Sequence, residues 1–241
     1  MDWSDDGIVL HVRAHGESSA ILELLTRDHG RHLGLVRGGG SKRMRGLLQP
    51  GNTLRVTWRA RLQEQLGSYT TEPLTQRGAT VLADRLALAG LTSSAALASA
   101  VLPEREAQPK VFDGTSIVLD ALDQPDTWPA LRVRWELGLL EDLGFGLDLS
   151  ACALTGETDN LAYVSPRSGR AVTAEAAGGY KERLLPLPDF LTGGGSASPR
   201  DVQDGLRLTG FFLEKRVFAP LDKTLPVPRI ALAEVLASQS A

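Results

Sequence analysis

The stretch Thr53-Leu54-Arg55-Val56-Thr57-Trp58-Arg59 alternates between polar and apolar side chains with a period of two residues. Successive side chains of a β-strand point to opposite faces of the sheet. The pattern therefore predicts a strand with Leu54, Val56 and Trp58 on its buried face and polar side chains on the other face. The turn-forming sequence Gln49-Pro50-Gly51 precedes it.

Four other segments near the start of the chain also predict strands, because they are short and rich in leucine and β-branched residues. They are Gly7–Val12, Ala20–Thr26, Arg31–Val36 and Leu66–Glu72, the last ended by Pro73. Gly38-Gly39-Gly40 cannot continue a strand and predicts a loop. Five short strands do not easily form a two-layer sandwich, so we expect a small closed barrel.

From Thr80 onwards the sequence becomes rich in alanine and leucine, with proline and glycine at regular stops. Helices are predicted at Val81–Val101, Lys110–Leu122, Pro129–Gly144, Ser198–Phe218 and Arg229–Leu236. An insert at about residues 147–179 has the pattern of a small hairpin. The expected fold is therefore α+β, with a barrel domain at residues 1–79 and a helical domain at residues 80–241.

Composition restricts the class of protein. No stretch of the 241 residues reaches 18 uncharged apolar residues, so no membrane-spanning helix is expected. The acidic N-terminus does not resemble a signal peptide. The single cysteine, Cys152, cannot form an internal disulfide. These features favour a cytoplasmic protein.

Positive charge is concentrated in the first part of the chain. Residues 1–80 contain 11 Lys and Arg against 8 Asp and Glu, although the net charge of the whole chain is −3. Residues 27–61 contain nine Lys and Arg, and Asp28 is the one acidic residue among them. Such a window favours a polyanionic partner, and a solvated basic face is the alternative.

Catalytic motifs are incomplete throughout the sequence. Gly34 and Gly39 have the spacing of a phosphate-binding loop, but Gly40-Ser41 follows where a lysine is required. His11 and His15 would lie about 13 Å apart on a strand and could not share a metal. Cys152 has no histidine after it in the sequence to act as its base. We therefore expect no catalytic residue, no metal site and no cofactor.

Nucleic-acid binding remains as the function that the barrel half favours, because small barrels present a suitable surface for single strands. Cations would contact the phosphate backbone, and one tyrosine would stack on a base, whereas Trp58 belongs to the core. The candidate residues are Arg31, Arg37, Lys42, Arg43, Arg45, Arg55, Arg59 and Tyr69. Binding of this kind should depend little on sequence and weaken steeply with salt.

Several segments in the same order resemble the RecO family of DNA repair proteins, from about Trp3 to Pro220. The segments that carry the resemblance are Gly7–Leu10 with Gly16–Ser19, Arg43–Pro50, Glu141–Leu149 with Cys152, and Tyr163–Pro166 with Gly169. The resemblance implies an N-terminal OB fold, followed by a helical domain, and a role in the RecF pathway of recombinational repair.

The same resemblance implies partners. Members of this family bind single- and double-stranded DNA and anneal complementary strands. They act with RecR, and many contact the C-terminal tail of single-stranded-DNA-binding protein to help load RecA recombinase. These partners are expectations from the family and do not follow from composition or spacing.

The family often carries a zinc site made of two Cys-x-x-Cys pairs in the central insert. In this chain Cys152 takes the first position, but Thr155, Thr173 and Ala176 stand at the other three. A hydroxyl and a methyl group cannot replace thiolate ligands of zinc. We therefore expect a degenerate zinc-finger position, without metal.

The tail of the single-stranded-DNA-binding protein is acidic and apolar, so its site needs apolar walls and a cation. The helix at residues 201–218 offers both, although a buried core helix is the alternative interpretation. The candidate residues are Arg207, Leu208, Phe211, Phe212, Lys215 and Arg216.

Two other functions remain open at this point. A generic OB-fold module that binds RNA would share the basic barrel, but it would not account for the helical half. A nuclease or ligase would need clustered carboxylates or a nucleophilic lysine in the barrel half, where residues 27–61 contain one acidic residue.

Overall fold

The computed structural model describes residues 1–77, 81–193 and 195–238. The chain forms two compact units, Met1–Pro125 and Asp126–Ala241. Within the described residues, none of the helices is both long and apolar enough to span a bilayer.

The first unit contains a closed five-stranded barrel with strand order β1-β2-β3-β5-β4. The strands are β1 (Asp2–His15), β2 (Ser19–Thr26), β3 (Gly30–Val36), β4 (Thr53–Arg59) and β5 (Ser68–Thr75). All pairs are antiparallel except β3 with β5. The α+β class and the N-terminal OB-type barrel expected from the sequence are confirmed.

The barrel core follows the alternation of β4. Leu54, Val56 and Trp58 are at most 1% exposed, and they pack against apolar side chains of β1, β2 and β3. Strand β1 is longer than predicted because its first half pairs with β4 and its second half with β2. The expectation that Pro73 ends the last strand is wrong. Pro73 lies within β5 beside a register shift opposite Thr53 and Leu54.

Two helices pack with the barrel in this unit, α2 (Arg85–Val101) and α3 (Pro109–Asp120). Helix α2 begins later than predicted because the carboxylate of Asp84 accepts hydrogen bonds from the first-turn N–H groups. It packs on β1, and Ser99 donates a hydrogen bond to Glu23 on the outer face of β2. The predicted domain boundary at residues 79 and 80 lies outside the described residues and stays a prediction.

The second unit combines helices with a small sheet. Its elements are α4 (Trp128–Asp142), β6 (Leu161–Val164), β7 (Ala171–Thr173), α5 (Ala174–Ala177), β8 (Leu185–Pro186), α6 (Pro199–Phe212), a π-helical segment (Leu213–Phe218) and α7 (Val227–Ser238). Strands β6 and β7 form the expected hairpin, and β8 adds a third strand beside β6. Ser198 and Asp201 form a reciprocal capping box that begins α6.

A buried ionic network joins the helices of the second unit. Glu136 of α4 accepts hydrogen bonds from Arg229 of α7 and from the hydroxyl of Thr209 of α6. Arg132, one turn earlier on α4, lies 2.8 Å from the same carboxylate. The two side chains of α4 are completely buried. Burial alone would raise the pKa of Glu136, but Arg229 and Arg132 lower it below its usual range.

Candidate nucleic-acid interface

A short helix, α1 (Lys42–Leu47), connects β3 to β4. The side chain of Ser41 begins the helix by accepting a hydrogen bond from the N–H of Met44. Met44 and Leu47 pack against the barrel core. Because apolar positions three residues apart occupy one face of a helix, Lys42, Arg43 and Arg45 lie on the other side and are exposed.

The glycine loop before α1 docks tightly on the turn between β1 and β2. Gly38 has a left-handed φ of +72°, which favours glycine. A Cβ on Gly39 would lie 2.8 Å from the Cβ of Ala20, so only glycine allows this approach. The N–H of Gly40 donates a hydrogen bond of 3.0 Å to the carbonyl of Ser18. The three glycines therefore position α1.

Four of the predicted contacts form one exposed group, which we call the α1 patch: Arg37, Lys42, Arg43 and Arg45. Among the described residues, no carboxylate oxygen lies within 4.0 Å of their side-chain nitrogens. The guanidinium of Arg45 donates a hydrogen bond to the carbonyl of Gly40, which orients it without neutralising its charge. The patch can therefore neutralise an anionic ligand.

Arg55 and Arg59 share the outer face of β4, as predicted, but carboxylates lie beside them. Residues Asp6 and Asp2 of β1 are their direct cross-strand partners. The Arg55–Asp6 pair has a separation of 2.8 Å, and the Arg59–Asp2 pair one of 4.0 Å. Both arginines remain at least half exposed. Their contribution to binding an anion is therefore smaller than their charge suggests.

Arg31 is turned towards the protein. Its guanidinium donates hydrogen bonds to the carboxylate of Glu23 and to the carbonyl of Leu102. It also lies 3.5 Å from the carboxylate of Glu104, and its side chain is only 17% exposed. These contacts attach β3 to β2 and to the segment after α2, so we leave Arg31 out of the interface.

The ring of Tyr69 lies inside the barrel and is 5% exposed. A Cβ on Gly34 would lie 2.4 Å from this ring, so the absence of a side chain there makes room for it. The expectation that Tyr69 stacks on a base is therefore wrong for this structure, because no face of the ring is open to a ligand.

Tyr69 instead belongs to an aromatic cluster at one end of the barrel. Its hydroxyl lies 2.8 Å from Nδ1 of His32, and the rings of Trp3 and Trp58 surround that imidazole. Burial, together with the positive charge of Arg105, lowers the pKa of His32 to about 4. The cluster is uncharged near pH 7 and serves as core.

In the second unit, the predicted helix face is partly buried. Leu208 and Phe212 of α6 are 0% exposed and belong to the core. Arg216 donates hydrogen bonds to the carbonyls of Phe145 and Ser168, so it holds the insert in place. Arg207, Phe211 and Lys215 retain exposed surface, but two of the three predicted apolar side chains lie in the core.

A groove beside α4 was not anticipated from the sequence. It encloses about 540 Å³ and combines leucine side chains with one arginine and one glutamate. We call it the Arg134 groove, and its lining includes Arg134, Leu137, Glu141, Leu147, Leu149 and Phe190. The guanidinium of Arg134 donates a hydrogen bond of 2.6 Å to the carbonyl of Phe190. Apolar walls and a cation therefore occur together here.

Comparison with known proteins assigns the chain to a family. Residues 1–77 match the family model described as Recombination protein O N terminal, and residues 82–225 match Recombination protein O C terminal. The chain belongs to the RecO family. DNA repair protein RecO of a Ruegeria species is 54% identical over 95% of this chain and 94% of its own length.

Two further RecO proteins cover nearly the whole chain. DNA repair protein RecO of Methylorubrum extorquens is 49% identical over 100% of both chains. DNA repair protein RecO of Caulobacter vibrioides is 50% identical over 98% of each. The role of the chain lies in DNA repair and recombination, as the resemblance implied.

At the degenerate zinc-finger position expected from the resemblance, Cys152, Thr173 and Ala176 are joined by hydrogen bonds. The Sγ atom of Cys152 accepts a hydrogen bond of 3.4 Å from the N–H of Thr173, whose hydroxyl accepts one from the N–H of Ala176. Burial alone would raise the pKa of the Cys152 thiol, but hydrogen bonds from Thr155 and Thr173 lower it to about 6. One sulfur and two hydroxyls do not form a zinc-binding set.

Proposed function

We propose that this RecO chain binds single- and double-stranded DNA without base specificity and anneals complementary strands as a non-enzymatic mediator of repair. The observation that carries the proposal is the α1 patch on a closed barrel, where four exposed cations lie without carboxylate partners among the described residues. Fixed positive charge on a small barrel is the usual requirement for holding a phosphate backbone.

The mechanism needs no covalent step. Cations of the patch neutralise phosphates on two strands and reduce their mutual repulsion, so that base pairing can begin. The glycine loop holds α1 against the barrel, which keeps the charges in place while a strand moves. We further propose that the chain acts in the cytoplasm with RecR to help RecA load on strands coated by single-stranded-DNA-binding protein.

The tail of that coating protein would occupy the Arg134 groove. The groove has the apolar walls that an apolar peptide end requires, and Arg134 supplies a cation for its carboxylate. The exposed part of α6 lacks such walls because Leu208 and Phe212 are buried. We therefore propose the Arg134 groove, and not the exposed face of α6, as the site for the tail.

The test is annealing of two complementary labelled oligonucleotides across a salt series, on bare strands and on strands coated by the single-stranded-DNA-binding protein. We expect acceleration that decreases with salt. Replacing Lys42, Arg43 and Arg45 together by glutamate should lower annealing and affinity for all sequences about equally, and should reduce the slope of affinity against salt. RNA of the same sequence that binds more tightly than DNA would favour the alternative of an RNA-binding module.

A charge-matched control replaces three exposed cations elsewhere, Lys110, Arg167 and Lys223, by glutamate. If this control loses as much activity as the α1 variant, net charge and not the patch is responsible. Arg134→Glu should slow annealing on coated strands and leave bare strands unaffected, whereas Arg207→Glu on α6 should change neither. The opposite pattern would return the tail site to α6.

A further inference from the structure

The turn end of the β1–β2 hairpin carries three basic side chains on one face. His11, Arg13 and His15 are separated by two residues each, so they point the same way, and all three are exposed. Their partners across the hairpin are Glu23, Ile21 and Ser19. Since Val12 packs into the barrel core, the three basic side chains lie on the outside. We call them the hairpin row.

The hairpin row lies next to the α1 patch. His15 is three residues before Ser18, whose carbonyl accepts the hydrogen bond from Gly40, and Lys42 follows Gly40 by two residues. Arg37 follows Val36, which pairs with Ala20 of β2, and Ala20 pairs in turn with Ala14 of β1. The glycine loop therefore joins the row and the patch into one basic surface.

The spacing and the charges of the row suit a phosphodiester backbone. Residues two apart on a strand are separated by about 7 Å, which permits contacts to successive phosphates of an extended strand. No carboxylate oxygen among the described residues lies within 4.0 Å of the side-chain nitrogens of Arg13. The two histidines of the hairpin row add positive charge to the row when they are protonated.

We propose that the hairpin row is a second contact for the backbone of single-stranded DNA, continuous with the α1 patch, and that it strengthens binding as the pH falls. This inference rests on the proposed function. Arginine as a residue type carries its charge throughout this range, whereas histidine as a residue type gains its charge between about pH 8 and pH 5.

The groups that face the two histidines do not oppose this effect. Glu23, across from His11, is held by Arg31 and Ser99. Across from His15 stands the uncharged Ser19. Helix α2, which packs on β1, contains no carboxylate between its first and last residue. Glu17 lies in the turn after His15 and is exposed.

The experiment measures the affinity of the full chain for an unstructured single-stranded oligonucleotide, against salt and at about pH 7.5 and about pH 5.5. Arg13→Gln should weaken binding about five-fold and reduce the slope of log affinity against log salt by about 0.7, the value for one phosphate contact. His11→Gln with His15→Gln should bind normally at the higher pH and lose the tighter binding of the native chain at the lower pH.

Arg61→Gln is the matched control, since Arg61 is exposed in the loop after β4, at the opposite end of the barrel from the hairpin. It should leave affinity and salt slope unchanged. An unchanged salt slope in Arg13→Gln, or tightening at low pH that persists in the double histidine variant, would overturn the inference. If the native chain binds no DNA at any salt concentration, the proposed function itself fails.

Discussion

His32 shows how one residue can couple the barrel to pH. Its imidazole is 3% exposed, lies 2.8 Å from the hydroxyl of Tyr69 and has a pKa lowered to about 4. In the unfolded chain the same side chain would take a proton near pH 6.5. The fold therefore favours the neutral form, and protonation favours unfolding.

This difference predicts a loss of stability in mild acid. The contribution of His32 is fully present above about pH 6.5 and decreases as the pH falls towards about 4, by about 2 kcal/mol between pH 7 and pH 5. Urea unfolding at a series of pH values measures it. His32→Gln should lack this component, so the difference between the variant and the native chain should itself depend on pH. A constant difference would contradict the prediction.

Helix α4 illustrates what an element contributes beyond its apolar stripe. Leu131, Trp135 and Leu139 gave the period that predicts the helix, and Trp135 and Leu139 are indeed buried. The same helix buries Arg132 and Glu136, which the apolar pattern does not identify. The burial of these two arginines depends on the glutamate, because the shared carboxylate compensates the desolvation of both guanidinium groups.

Removing the shared carboxylate should therefore be costly. Glu136→Gln removes the buried carboxylate that Arg132 and Arg229 share, and we expect it to reduce the free energy of unfolding by about 3–5 kcal/mol. Glu141→Gln, on an exposed position of the same helix, is the control and should change stability little. Urea denaturation of the two variants gives the answer. Equal stability of the two variants would show that the network is not needed.

At the scale of the whole molecule, charge is distributed unevenly between local surfaces rather than between halves. Residues 1–125 contain 14 Lys and Arg against 14 Asp and Glu, and residues 126–241 contain 12 against 15. Neither unit is basic as a whole. The proposed binding to DNA should then depend on the α1 patch and its neighbours, and should be more sensitive to the position of a changed charge than to the number of changed charges.

The extent of the first unit leads to a prediction about fragments. Helix α2 packs on β1, and Ile8, Leu10, Ile21 and Leu25 on the outer face of β1 and β2 are buried. A chain of residues 1–125 should unfold in one cooperative transition. A chain of residues 1–79 would expose these side chains and should be less stable by several kcal/mol, at about 1.5–3 kcal/mol for each large apolar side chain exposed.

Thermal and urea unfolding of the two fragments, together with binding of a hydrophobic dye, measures this difference. The longer fragment should bind little dye. If the shorter fragment is equally stable and binds no dye, the barrel does not require α2 and α3, and the domain boundary predicted at residues 79 and 80 would gain support.

Much of the fold was accessible from local sequence patterns. Strand β4 was predicted with its bounds and its buried face, because the period of two residues is a property of the extended backbone. Several helices end near the prolines and glycines that interrupt the pattern. Proline has no backbone N–H to donate to the helix, and glycine readily adopts the left-handed conformation that ends one. The α1 patch was predicted as a cluster of cations, but the helix that presents it was not.

The sequence by itself therefore determined the presence of five barrel strands, the buried face of β4, the helical segments and the family. Only the tertiary structure decided which charges are compensated. Asp2 and Asp6 lie far from Arg59 and Arg55 in sequence, and the pairing of β1 with β4 brings them together. The tertiary structure also determines that Tyr69 is buried and that the Arg134 groove forms beside α4. Burial and ion pairing depend on contacts between distant segments, which no local pattern specifies.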